Sequence, residues 1–261
     1  MTIPSQVQEL IDGSGNNFHA KVARWFASNG WDITISPYYM DQSQQKAREL
    51  DLVVEKMWPI TGGFGDHVGD VAIRLFIECK FLPGCSVFWF TDKDRPAVER
   101  MLCESGSFRP NNFYTAKHHY ISSGNRVAKL FASSNSRGQE AEPFYKALNQ
   151  ALNGLVSMRR QAPRAFMSER SRGGFQVTLD YPVVVCNSFA QLYAADFSGE
   201  HETALVCEEF QLDVQYAYVD ASGRSHDEYF LLDIVEYDRL SNFVNALSVD
   251  AVVAGSFARR D

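Results

Sequence analysis

A chain of 261 residues with 45% apolar and 13% aromatic content can fill a large core, and its 22% charged fraction is ordinary for a globular protein, which excludes disorder. A formal charge of −7 and a pI near 5.4 exclude a protein that coats nucleic acid through overall positive charge, though not one with a local basic groove. No run approaches the roughly 18 apolar residues of a membrane span, and the opening MTIPSQVQELIDGSG lacks a basic segment followed by an apolar one; the expectation is a cytoplasmic protein with no membrane partner. The cysteines, Cys79, Cys85, Cys103, Cys186 and Cys207, are odd in number and form no C-x-x-C pair, so reduced thiols are expected and a structural zinc site is not.

In chain order, residues 16–29 place Phe18, Val22, Trp25 and Phe26 at helical spacing, with Asn16 or Asn17 as N-cap and Gly30 as stop. WDITISPYY alternates Ile33 and Ile35 with polar residues and ends at Pro37, as an edge strand does. YMDQSQQKAR reads as a loop leading into a strand at 49–55. The glycine-rich WPITGGFGDHVGD joins that strand to another at about 71–81, predicting a hairpin; it lacks the G-K-[ST] ending of a phosphate loop. SVFWF is a short strand, and DKDRPAVERMLCES starts as a helix should. Residues 105–138, rich in Ser, Asn, Gly and Arg, read as an irregular insertion. His118 and His119 within it, if on a strand, point oppositely and cannot share a metal, so a structural role is expected.

A second helix covers 139–158, with Phe144, Leu148, Ala151 and Leu155 on one face. MRRQAPRAFMSERSRGG then sets Arg159, Arg160, Arg164, Arg170 and Arg172 against Glu169 alone. That is a candidate nucleic-acid-binding groove, or else a solvated helix end whose arginines suit the helix dipole. Strands follow at 181–187, 204–220 and 228–237, the last two separated by the turn ASGRS, and a helix begins at Asp238. The order implies one domain over 1–261 with a mixed sheet flanked by helices, and additional C-terminal strands and helix.

Chemistry concentrates in two apolar strands, RELDLVVEK and LFIECKF. Alternation puts Glu78 and Lys80 on one face and Ile77 and Cys79 on the other, while Asp51 shares its face with Val53. If the strands pair, Asp51 and Glu78 meet. Two buried carboxylates repel unless one is protonated or a cation lies between them. A hard divalent cation, Mg²⁺ or Mn²⁺, suits such oxygen donors, with the Cys79 carbonyl as a further ligand and Lys80 beside the attacking water or phosphate. The structural alternatives are Asp51 paired with Arg48 or Lys56, and Glu78 paired with Lys80 on an exposed sheet face. Serine nucleophile chemistry lacks its G-x-S-x-G elbow, and a Cys79 nucleophile would point away from Lys80.

Asp51, followed by Glu78-Cys79-Lys80 on paired strands behind the helix NNFHAKVARWFASNGWDI, resembles the PD-(D/E)XK, or restriction-endonuclease-like, nuclease superfamily. The resemblance covers roughly residues 16–82, with weaker support from 139–158 and 181–187. It implies an α/β fold with a central mixed sheet between helices and metal-dependent hydrolysis of phosphodiester bonds, mostly in DNA, in restriction, phage defence or repair. It makes Asp51 and Glu78 metal ligands and Lys80 the catalytic lysine. Many members carry a first-helix Glu where His19 stands here, and Gln150 matches a polar residue that reaches the site in some. The alternatives are a catalytically inactive binding or assembly subunit of the same fold, and RNA as substrate. A homo-oligomer or a partner protein fits either.

Overall fold

The computed structural model describes residues 4–82, 84–105, 116–134, 143–168, 174–199 and 203–257. Two helices come first, α1 (Ser5–Gly13) and α2 (Gly15–Ser28). In α2, Phe18, Val22 and Phe26 recur on one face and are buried, and Gly30 in the left-handed region (φ 73°) ends the helix. After β1 (Asp32–Ile35), the stretch expected to be a loop is instead a hairpin of β2 (Tyr38–Asp41) and β3 (Lys46–Glu49). Its turn is held by the Asp41 carboxylate, which accepts from the Ser43 and Gln44 amides. In β2 burial alternates, with Tyr39 and Asp41 inward, but Tyr38 and Met40 occupy the exposed positions, so the sequence shows no polar–apolar alternation; β3 is polar and largely exposed.

The expected hairpin forms from β4 (Leu52–Thr61) and β5 (His67–Lys80), with Leu52 opposite Ile77. Next come β6 (Ser86–Asp92), α3 (Arg95–Ser105), α4 (His119–Ser122) and β7 (Arg126–Ser133). The expectation of an irregular insertion at 105–138 is thereby corrected in part, since β7 is a strand of the main sheet with Val127 and Ala128 fully buried. The chain continues through α5 (Pro143–Met158), α6 (Arg164–Ser168), β8 (Phe175–Cys186), β9 (Leu192–Asp196), β10 (Ala204–Leu205), β11 (Phe210–Val219), β12 (Ser225–Glu236) and α7 (Leu240–Phe257).

Ten strands form one mixed sheet in the order β1-β4-β5-β8-β12-β11-β7-β6-β9-β10, with helices on both faces. The class is α/β, as expected. One core joins Phe26 of α2 and Leu247 of α7 to Leu52, Ile73, Leu75 and Ile77. The other joins Phe144 and Leu152 of α5 to Val53, Phe76 and Val184. Because β5 is covered on both sides, LFIECKF reads as a continuous apolar run in which Glu78 stands out. α5 comes close to Leu50 at Gly154, where a Cβ would lie 3.1 Å from the leucine side chain. That approach sets Gln150 beside the residues that lead into β4.

The parallel neighbours β8 and β12 pair only over Val183–Cys186 and Asp233–Glu236. Upstream of these segments lies a cleft of about 870 Å³ lined by residues of both strands, α3 and the end of α5. No helix among the described residues is long and apolar enough to cross a membrane.

Candidate active site

Asp51 immediately precedes β4 and faces Glu78 across the β4–β5 ladder. Its amide donates to Glu78 Oε1 (3.3 Å), and its own carboxylate accepts the Cys79 amide at Oδ2 (2.7 Å). Lys80 Nζ lies 3.0 Å from Glu78 Oε2. The three ionic side chains expected to converge therefore do. The Cys79 side chain packs into the opposite core, as alternation requires, and because N–H and C=O of a strand residue leave on the same side, its carbonyl is turned towards Asp51.

Gln150 projects from α5 and donates from Nε2 to the Glu49 carbonyl (3.0 Å), two residues before Asp51. His19 on α2 approaches the same residue, and its charge helps hold the Glu49 carboxylate below the usual range, after the larger effect of hydrogen bonds from Ser36 and Tyr38. Neither Glu49 nor Tyr39 stood out in the sequence: Tyr39 opens the stretch that read as a loop, and Glu49 opens the expected strand at 49–55 as one more charge beside Asp51. Among the described residues, five buried side-chain polar atoms lack a hydrogen-bond partner, and three of them, His19 Nε2, Tyr39 Oη and Gln150 Oε1, belong to this neighbourhood. Unpaired buried polar atoms are rare and call for an explanation, of which a bound ion or ligand is one.

Burial pushes the Glu78 carboxyl up to about 7, and the Asp51 charge adds to this, while Lys80 opposes it. Burial wins because only 1% of Glu78 is exposed. Between its ordinary value near 4.5 and about 7, the folded protein holds a proton that the unfolded chain has released, so stability falls as pH rises through that window. Glu78→Gln, neutral at every pH, should match the wild type at pH 5 in EDTA and exceed it at pH 8 by roughly 3 kcal/mol. Urea denaturation at the two pH values measures this. A variant less stable at pH 8 would mean that Lys80 outweighs burial.

The arginines expected to bind nucleic acid are placed differently. Arg159 binds both oxygens of Glu228 (2.7 and 2.8 Å) and also reaches Tyr218. Arg160 is largely exposed, 3.9 Å from Asp220, and both residues line the β8–β12 cleft. They follow Gln150 by nine and ten positions, about 14 Å along the helix. Arg164 is exposed at the start of α6, while Arg170, Arg172 and Glu169 lie outside the described residues. Arg159 is therefore a structural ion pair rather than a free phosphate contact. Arg159→Ala should cost about 1 kcal/mol of stability and leave nucleic-acid affinity in a filter-binding assay unchanged. Beneath it, Arg74 of β5 binds both oxygens of Asp180 and the carbonyls of Arg159 and Gln161, tying the end of α5 to the sheet.

His118 and His119 are not on a strand. They occupy the cap and first turn of α4, their rings stack 5.1 Å apart, and both face Asp250 of α7. The exclusion of a shared metal is thereby overturned: one donor atom from each of His118, His119 and Asp250 lies within 4.8 Å of the others, all buried, and the cluster could hold a metal ion. Each group also has a hydrogen-bond partner. His119 Nδ1 meets Asp250 Oδ2 (2.7 Å), its Nε2 meets Asp233 Oδ2 (3.1 Å), and the Tyr181 hydroxyl donates to Asp250 (3.0 Å). The Tyr120 amide donates to His118 Nδ1 (3.2 Å), which leaves the His118 proton on Nε2, towards Asp250. Asp233 and Asp250 come from distant parts of the chain, and nothing in sequence spacing links them to the histidines.

No protein-family model, no curated protein and no solved structure matches this chain.

Proposed function

We propose that this protein is a metal-dependent nuclease of the PD-(D/E)XK kind, hydrolysing phosphodiester bonds in DNA in a restriction, phage-defence or repair setting. The observation that carries this reading is the half-buried Asp51 facing the buried Glu78 across one strand ladder, with Lys80 at 3.0 Å from Glu78. Its setting also supports it: α2 precedes the antiparallel strands β1, β4 and β5, and α5 lies between β5 and its parallel neighbour β8.

The donor set fits a hard cation. Asp51, Glu78 and the Cys79 carbonyl would hold Mg²⁺ or Mn²⁺, which when bound lowers the pKa of water and stabilises charge on phosphate. Lys80 carries a compact, mobile charge that can leave Glu78 for a phosphate oxygen. Gln150, fixed through Glu49, and His19 offer polar atoms to water or substrate from the two flanking helices.

Purified protein with Mg²⁺ or Mn²⁺ should nick supercoiled plasmid. A parallel assay on RNA of the same sequence decides between the nucleic acids. One observation favours a second reading, a binding or assembly subunit without activity: the Lys80–Glu78 pair already offsets one of the two carboxylates. Calorimetry separates the two, since no heat with millimolar Mn²⁺ sinks the nuclease.

A further inference from the structure

Independently of the nuclease reading, we infer that the cleft between β8 and β12 is a docking site for an extended, basic segment of a partner protein, which enters the sheet there as an additional strand.

β8 and β12 have 12 residues each, yet they share a ladder only over Val183–Cys186 and Asp233–Glu236. The direction of their backbone groups explains this. The Asn187 amide donates to the Lys80 carbonyl (3.1 Å) and so continues the β5–β8 ladder; the odd residues of β8 therefore bond to β5, and the even ones turn towards β12. Pro182 is one of the even residues and has no N–H to give, so the ladder stops there. Upstream of it, Thr178 and Asp180 turn both amide and carbonyl into the cleft. In β12 the odd residues face β8. The Leu231 carbonyl on that side accepts the Tyr120 hydroxyl (3.0 Å) in place of an amide, and Asp227 and Tyr229 turn the same way. Among the described residues no hydrogen bond reaches the cleft-facing backbone groups of Thr178, Asp180, Asp227 and Tyr229. Two unpaired edges inside one sheet are a template for an added strand.

The opening has the size of one strand. With strands about 4.8 Å apart, about 10 Å from face to face and about 3.3 Å long per residue, a strand fills about 160 Å³ per residue. The cleft of about 870 Å³ thus holds about five residues. Its lining selects their charge. On the α3 side Asp94 accepts the Ala97 amide and Asp227 the Gln215 side chain, and neither these two nor Glu104 has an ion-pair partner among the described residues. The cations of that side are Lys129, 3.5 Å from Asp213, and Arg100, so at least two carboxylates stay unmatched. On the α5 side Arg159 and Glu228 already neutralise each other beside the apolar Leu155 and Phe230. Side chains of a strand alternate between faces, so the occupant carries Lys or Arg on alternate residues and apolar side chains between them.

A capped, fluorescein-labelled heptapeptide alternating Lys and Val is the probe, used on the full-length protein. It should bind in fluorescence anisotropy and slow hydrogen exchange at the Thr178 and Tyr229 amides. N-methylation of its three valines removes the donors along one edge and should weaken binding at least about tenfold, as for loss of two hydrogen bonds. Replacing its lysines by Glu should weaken binding as much. In the protein, Thr178→Pro removes an edge amide that no ladder uses, and Asp227→Lys reverses an exposed charge without touching β8; each should weaken the peptide about tenfold. No binding at millimolar peptide overturns the site. Equal affinity for the N-methylated peptide, or unchanged exchange at Thr178 and Tyr229 at saturation, overturns strand insertion, and equal affinity in Asp227→Lys overturns the choice of a basic partner.

Discussion

Asp51→Ala should lower metal-dependent plasmid nicking by at least about 100-fold with the fold intact, because loss of a direct ligand matters at least as much as loss of the groups that orient one. The stability cost is modest. Asp51 is half-buried, and removing its carboxylate leaves one amide, that of Cys79, without its acceptor, while relieving the repulsion that helps raise Glu78. Lys80→Ala should abolish activity to a similar degree for another reason. It withdraws the cation from Glu78, pushes that carboxyl further up, and steepens the loss of stability towards alkaline pH. Lys80→Arg should rescue little, since a planar fork does not replace a compact ammonium on a flexible stem. Plasmid nicking checks the activities and urea unfolding in EDTA the stabilities. Full activity in both alanine variants removes Asp51 and Lys80 from the chemistry.

Those residues were legible in the sequence because a charge inside a doubly buried strand contradicts its surroundings, and alternation alone says which charges share a face. The hairpin from β4 to β5 follows from its glycine-rich turn, which brings Asp51 and Glu78 onto neighbouring strands, while the register that sets Leu52 opposite Ile77 comes from the structure. Tyr39 and Glu49 were not legible, since β2 has apolar side chains on both its faces, β3 is polar, and both four-residue strands owe their place to packing under α5. Arg159 misled for a related reason. Composition shows a basic run but not that Glu228, on a strand about 70 residues later, already binds Arg159 on both oxygens. Beyond β8 in the sheet, β6, β11 and β12 were legible as strands while β7 and β9 were not, and the order was not legible because pairings such as β7 with β11 join segments whose spacing carries no local signal.

Replacing His119 by Gln should destabilise the protein by about 3–5 kcal/mol, a large share of what holds a domain folded. Its ring is buried between two carboxylates, 2.7 Å from Asp250 and 3.1 Å from Asp233. Burial alone would push the ring down, but Asp233 and Asp250 outweigh it and lift it to about 9. The folded state therefore keeps a proton that the unfolded chain loses near its ordinary value of 6.5. This contribution is complete below about 6.5 and disappears as pH rises through about 9. His118 behaves oppositely: burial, aided by the neighbouring His119, holds it down at about 4 despite Asp250, so the neutral ring resists acid and its contribution is lost as pH falls from 6.5 to about 4. Asp250→Asn should flatten the alkaline limb and steepen the acid one, because Asp250 raises both rings, and should lower stability overall, because the same carboxylate also receives the Tyr181 hydroxyl and the His119 amide and so ties α7 to α4 and β8. Thermal melts from pH 5 to 10 in EDTA test this. The wild type should lose stability between about 6.5 and 9 more steeply than His119→Gln, whereas parallel profiles would mean that the ring is neutral between its carboxylates. Because protons already pair these groups, Zn²⁺ should leave the wild-type melting temperature unchanged, and a rise that His119→Gln abolishes would show an ion taking their place.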